Sequence, residues 1–158
     1  MTGSLRDATL EVAGESLVLL AERALHWPAR DMLLVADLHL GKAATFRAMG
    51  IPIPRGSTTD DLARLDRALA RTGARELVVL GDLYHARAGR EARSTMALLA
   101  AWRGRRPDLA IRLVRGNHDV GAGDPHAELD VRCVDEPWTE GPFTMRHHPQ
   151  EAEGYVLA

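Results

Sequence analysis

Glu76-Leu77-Val78-Val79-Leu80-Gly81-Asp82-Leu83-Tyr84-His85 reads as a buried strand running into a polar turn. The apolar run 77–80 has no polar face, which marks a strand covered on both sides. Gly81 lets the backbone turn sharply. Asp82 is left at the carboxyl end of the strand, where open α/β sheets place their ligands. Both oxygens of a carboxylate carry free lone pairs, so one Asp at that edge can bridge two cations.

Working outward, residues 57–72 form an amphipathic helix. Leu62, Leu65 and Leu69 lie on one face, Asp60 gives a capping-box-like start after Ser57, and Gly73 is the stop. Before that helix, residues 50–56 (Gly-Ile-Pro-Ile-Pro-Arg-Gly) form an extended loop, because each proline disfavours helix in the residue before it, and residues 45–49 form a short helix. The apolar run 32–36 is a second buried strand and ends in Asp37-Leu38-His39. Residues 8–12 and 16–21 alternate as a hairpin, with a short strand at 24–27 that Pro28 stops. Downstream, residues 87–89 are a loop and 91–102 a second amphipathic helix with Thr95, Leu98, Leu99 and Trp102 at helical spacing. A strand at 109–114 feeds Gly116-Asn117-His118-Asp119, and 120–129 is loop. Residues 131–134, 143–147 and 155–157 are strands with no helix between them. Two β-rich flanks around a βαβαβ middle predict a mixed α/β domain of two packed sheets with helices outside.

The chain has 158 residues, 46% hydrophobic and 27% charged, with a formal net charge of −2. That fits one domain, residues 1–158, with a core. There is no global basic field, although a metal centre can supply local positive charge. The basic residues are almost all Arg, with Lys42 the single Lys. Cys133 is alone, so no internal disulfide forms; its strand setting makes it a core thiol, and a reducing cytoplasm is the expected compartment. No run is long enough to span a membrane.

Three strands end in polar motifs, Asp37-x-His39, Gly81-Asp82-x-x-His85 and Gly116-Asn117-His118-Asp119, and His147-His148-Pro149 follows a fourth. Five of the seven histidines lie in these turns. Each turn alone is ordinary turn chemistry. Together they converge on one edge of a parallel sheet. An Asp/His/Asn donor set suits manganese, iron or zinc better than a Cys-based structural zinc site.

This ordered set resembles the calcineurin-like metallophosphoesterase superfamily. Ala36-Asp-Leu-His-Leu-Gly-Lys42, Phe46-Arg47, Gly50-Ile-Pro-Ile-Pro54 and Gly-Asp-Leu-Tyr-His85 are similar to one branch, the bacterial ligase-associated DNA damage response endonuclease. The resemblance implies a four-layer metallophosphoesterase fold of two β-sheets flanked by helices. It implies a manganese-dependent phosphodiesterase with two Mn²⁺ (iron or zinc as alternatives), DNA as substrate, and an ATP-dependent DNA ligase and an Lhr-type helicase as partners in DNA repair. By the same resemblance Asp37 and His39 bind the first metal, Asp82 bridges both, and Asn117 and His147 bind the second, with His148 the alternative to His147. His118 assists the leaving group, and Asp119 is the candidate to orient it. Lys42 and Arg47 are candidate substrate-binding residues. The expected reaction is in-line attack on phosphorus by a metal-bridging hydroxide. His85 stands where phosphoprotein phosphatases of the superfamily carry an Asp, which leans toward phosphodiesters and gives His85 a substrate or supporting role.

The family also carries a Gly-His-x-His motif after the strand that follows His-x-Pro. Here Tyr155-Val-Leu-Ala158 matches that strand, so the resemblance implies a domain truncated at its C-terminus, with one neutral ligand fewer at each metal. A nucleotide or protein phosphomonoesterase and a metal-poor binding module are the competing readings. For a nuclease, Arg87, Arg90 and Arg93 with Arg103-Gly-Arg-Arg106 form a candidate basic track. Only 4% of residues are aromatic, too few for a stacking groove for single strands.

Overall fold

A computed structural model describes residues 6–53, 57–150 and 154–158. The first five residues and Pro54, Arg55 and Gly56 of the expected loop lie outside the described residues. The element order is β1 (Ala8–Val12), β2 (Glu15–Leu20), β3 (Ala24–Trp27), β4 (Met32–Val35), α1 (Lys42–Ala48), α2 (Ser57–Thr72), β5 (Glu76–Leu80), α3 (Arg87–Glu91), α4 (Arg93–Gly104), β6 (Ala110–Val114), α5 (Asn117–Ala122), β7 (Val131–Val134), β8 (Trp138–Glu140), β9 (Phe143–Met145) and β10 (Tyr155–Leu157).

The first seven strands make one sheet in chain order, and β10-β9-β8 make a second. Strands β1 to β4 pair antiparallel, as hairpins do. Strands β4, β5, β6 and β7 pair parallel. Parallel neighbours need crossovers; α2 and α4 supply the first two, and the connection from β6 to β7 carries the short α5.

The parallel strands are covered on both faces, and their side chains alternate between two cores. Leu33, Val35, Leu77, Val79 and Leu113 face one core with Leu62, Leu65 and Leu69 of α2 and Leu99 and Trp102 of α4. Met32, Leu34, Val78, Leu80 and Val114 face the other, with Trp27, Phe143 and Met145 between the sheets. The Trp27 and Phe143 rings meet edge to face at 5.0 Å, a favoured aromatic geometry. The arrangement is mixed α/β, with two packed sheets and helices on the outer face of the larger one.

Several local expectations are corrected. Residues 87–89 are not a loop but belong to α3, whose Gly89 lies against the Gly41 backbone, so packing rather than propensity holds this single turn and a half. The next helix starts at Arg93 instead of Glu91, because Ala92 is extended (φ −64°, ψ 125°). Leu98 is exposed while Thr95, Leu99 and Trp102 are buried. Residues 120–129 are not all loop: α5 runs through Ala122, and a 3-10 turn covers Ala127–Leu129. Strand β8 carries no alternation long enough to read from sequence, yet it pairs with β9. Strand β9 stops at Met145, so His147 sits just beyond it.

Candidate active site

The parallel ladder continues past the strands. His39 N–H donates to the Asp82 carbonyl at 2.9 Å, Leu40 N–H to the Leu83 carbonyl at 2.8 Å, and His85 N–H to the Leu40 carbonyl at 3.1 Å. The two polar turns after β4 and β5 therefore run side by side. This zipper brings Asp37, His39 and Asp82 together, with potential ligand atoms within 4.8 Å of one another.

Asp82 is the centre. It is buried, and its two oxygens have different tasks. Oδ1 accepts the His118 backbone N–H at 3.1 Å. Oδ2 faces three imidazoles, with His147 Nε2 at 3.4 Å, His39 Nε2 at 3.7 Å and His118 Nε2 at 3.8 Å. His39 Nε2 and His147 Nδ1 each lie 3.9 Å from Asp37 Oδ1. These gaps are too long for hydrogen bonds and suit groups that share a cation instead.

The backbone is held in an uncommon state at this point. Asp37, His39 and Asp82 have positive φ of 52°, 45° and 54°. Left-handed non-glycine residues cost roughly 1–3 kcal/mol each and cluster at functional sites.

Hydrogen bonds at the far side of the His147 and His118 rings fix which nitrogen faces inward. His147 Nδ1 pairs with the Leu80 carbonyl at 3.0 Å, so Nδ1 carries the proton and Nε2 presents a lone pair to Asp82. The Glu136 carboxylate accepts the His147 backbone N–H at 2.7 Å. His118 Nδ1 pairs with the His85 carbonyl at 2.9 Å. Among the described residues, the buried Nδ1 atoms of His39 and His85 have no hydrogen-bond partner. Unpaired ring nitrogens, an inward-aimed carboxylate and a fixed tautomer fit a divalent-cation centre.

The remaining predicted residues separate into groups. The His147 side chain is only 6% exposed and lies in the cluster, whereas His148 is exposed and packs on the outside of it, with ring centroids 4.4 Å apart. Here the fourth motif departs from expectation: it reaches the cluster from the second sheet, not from the edge of the first. Asn117 is exposed at the first position of α5, and its amide takes no part in the hydrogen bonds that hold the cluster.

Asp119, expected beside the His118 ring, is placed differently. Its buried carboxylate accepts backbone N–H bonds from Asp82 at 2.7 Å, Gly116 at 2.7 Å and Leu83 at 3.0 Å. Burial pushes this carboxyl above the ordinary range, against the pull of those three donors. It is a splint between two turns, and the His85 carbonyl is the partner of the His118 ring. Burial also holds the His85 imidazole below its usual range, helped by the neighbouring His39 and Lys42.

Lys42 therefore stands within electrostatic reach of the histidines. Arg47, one turn along α1, lines a separate polar cavity of about 420 Å³ with Ser57, Thr58, Ser94 and Thr95. Phe46 stacks on His85, with centroids 5.4 Å apart.

Sequence reasoning missed Glu136, the stacking role of Phe46, and the carbonyls of Leu80 and His85. Glu136 lies at the foot of the unread strand β8, and carbonyls leave no trace in residue identity.

Comparison with known proteins points to one family. The model of the calcineurin-like phosphoesterase family matches residues 31–155. The crystal structure of the Pseudomonas putida nuclease MPE is similar at 45% identity with a TM-score of 0.85, covering 96% of this chain and 71% of that one. A comparison with curated proteins finds no match. The chain belongs to the calcineurin-like phosphoesterase family and is a metal-dependent phosphoesterase.

Proposed function

We propose that this chain hydrolyses phosphodiesters in DNA, as a manganese-dependent endonuclease of DNA repair. The observation that carries the reading is the ring of three imidazoles around Asp82 Oδ2, with His118 among them. The 45% identity to a protein named a nuclease supports a nucleic-acid substrate. Repair, with a DNA ligase and an Lhr-type helicase as partners, rests on the resemblance of Ala36–Lys42, Phe46-Arg47, residues 50–54 and Gly81–His85 to the ligase-associated branch, and a cytoplasmic setting on the lone Cys133. Among the described residues no helix is long and apolar enough to cross a membrane.

Asp37, His39 and Asp82 would hold one cation, and Asp82, His147 and Asn117 a second. Two such cations supply a clamp for phosphoryl oxygens and lower the pKa of bound water. Manganese is proposed because the donors mix carboxylate and amide oxygen with imidazole nitrogen.

His118 acts on the substrate. With Nδ1 tied to the His85 carbonyl, Nε2 is the atom that faces Asp82 Oδ2, at 3.8 Å. Protonated there, it donates to the departing oxygen. The α5 N-terminus, through the His118 N–H, holds Asp82 so that Oδ2 stays inward. Lys42 attracts the phosphodiester to the cleft.

The test compares bis-p-nitrophenyl phosphate with p-nitrophenyl phosphate in Mn²⁺, followed by DNA and RNA oligonucleotides. The expected result is diester turnover that needs Mn²⁺ and falls about 10²–10⁴-fold in His118→Ala. Asp82→Ala abolishes it, because both cations lose a ligand. Preference for the monoester, or undiminished turnover in either variant, would overturn the reading.

A further inference from the structure

His39 of the carboxylate cluster also belongs to a second set of donors with no acid in it. His39, His85 and His118 offer ring nitrogens that all lie within 4.8 Å of one another. Their ring centroids form a near-equilateral triangle: 5.2 Å for His39–His118, 5.5 Å for His39–His85 and 5.7 Å for His85–His118. All three residues are half-buried.

His39 Nε2 and His118 Nε2 face Asp82 Oδ2 at 3.7 and 3.8 Å, too far for hydrogen bonds. Among the described residues, the one hydrogen bond to these rings, from His118 Nδ1 to the His85 carbonyl, leaves His118 Nε2 as the lone-pair atom. The Nδ1 atoms of His39 and His85 are buried, with no partner among the described residues. A buried polar atom without a partner is unusual in a folded protein and calls for an explanation such as an ion.

We propose that His39, His85 and His118 form an alternative site for a zinc-class cation, sharing His39 with the carboxylate cluster, and that filling it inhibits the enzyme. Three neutral imidazoles with an open position are a donor set that Zn²⁺ accepts. Zn²⁺ also binds nitrogen donors more tightly than Mn²⁺ does. A cation held there occupies Nε2 of His118, so that atom no longer donates a proton. It also draws His39 from the carboxylate cluster. The site itself rests on this geometry; its inhibitory consequence rests on the role proposed above for His118. The same cleft thus has two metal states, one rich in oxygen donors and productive, one all-imidazole and silent.

The experiment titrates metal-free chain with Zn²⁺ by calorimetry and with Co²⁺ by visible absorption. Wild type is compared with His85→Phe, which keeps the stacking on Phe46 and His118 but removes the nitrogens. His85→Gln is a second variant in case one does not fold, and Mn²⁺ binding reports on the carboxylate cluster. The expected result is that Zn²⁺ affinity falls about tenfold or more in both variants, and that the Co²⁺ band of nitrogen coordination is lost. In the wild type, added Zn²⁺ suppresses Mn²⁺-supported turnover, and His85→Phe shifts that inhibition to higher Zn²⁺. Equal Zn²⁺ affinity and equal Co²⁺ spectra in wild type and variants would overturn the site. An enzyme without diester activity, but with His85-dependent Zn²⁺ binding, would overturn the proposed reaction and leave the site standing.

Discussion

A Cβ built on Gly81 would lie 2.3 Å from Nδ1 of His147, and on Gly116 it would lie 2.7 Å from Oδ1 of Asp82 and 2.8 Å from Cδ2 of His147. The His147 ring is thus seated between two glycines from two different strands. Gly81 also has φ +76°, where a side chain is strained. In Gly81→Ala the ring must leave, since the new methyl would overlap its Nδ1 and Cγ at 2.3 and 2.4 Å. A misplacement of 1 Å at a reacting centre can cost about 10²-fold, so kcat/KM is expected to fall by at least that, together with a loss of Mn²⁺ affinity. Steady-state kinetics and metal titration check this, and wild-type values for both would refute the cradle. The sequence marks Gly81 as a turn residue, which is half of its role. It carries no sign that a histidine 66 positions later packs against that spot, because only the folded chain juxtaposes them. The left-handed backbone at Asp37, His39 and Asp82 is equally silent in sequence: an Asp-x-His pair reads the same whether relaxed or strained.

At the scale of elements, the site is a zipper of turns, and Asp119 is its fastener. Asp119 ties α5 to the turn after β5 through three buried backbone N–H groups. Replacing it by Ala strands those donors, at a cost on the order of 1–3 kcal/mol for each N–H left without water or a partner. Asp119→Ala is expected to lower the urea midpoint markedly, and Asp119→Asn, which keeps one acceptor oxygen, to recover part of the loss. An Asp119→Ala variant as stable as wild type would show that water replaces the carboxylate. The four polar motifs, the two crossover helices and the parallel strands were all legible, because buried strands and amphipathic helices have periods that residue identity displays. Asp119 was legible as a residue of the site but not in its role, since Gly-Asn-His-Asp does not say whether an acid faces a ring or a backbone. The short α3, α5 and β8 escaped because single turns and three-residue strands are set by tertiary contacts rather than by a repeating pattern.

In the whole molecule, two sheets share one site. Asp37, His39, Asp82 and His118 come from the large sheet, while His147 follows β9 of the small one. The relative placement of the sheets is therefore part of the metal centre, and the core between them is where packing and chemistry couple. Phe143 is fully buried in that core against Trp27 and lies on β9 itself, four residues before His147. Phe143→Ala removes the edge-to-face contact and opens a void, for about 3–5 kcal/mol of stability. It also frees β9 to shift, so Mn²⁺ affinity is expected to fall with it. The control is Leu69→Ala, buried in the other core under α2, which costs about 2–5 kcal/mol but leaves the seating of β9 on the large sheet intact. Both variants are expected to lose stability in chemical denaturation; only Phe143→Ala is expected to lose metal affinity under conditions where both are folded. If both lose affinity in proportion to stability, the centre senses global stability alone. If only Phe143→Ala does, the interface between the sheets sets the metal geometry, and substitutions there can tune the enzyme without touching a ligand.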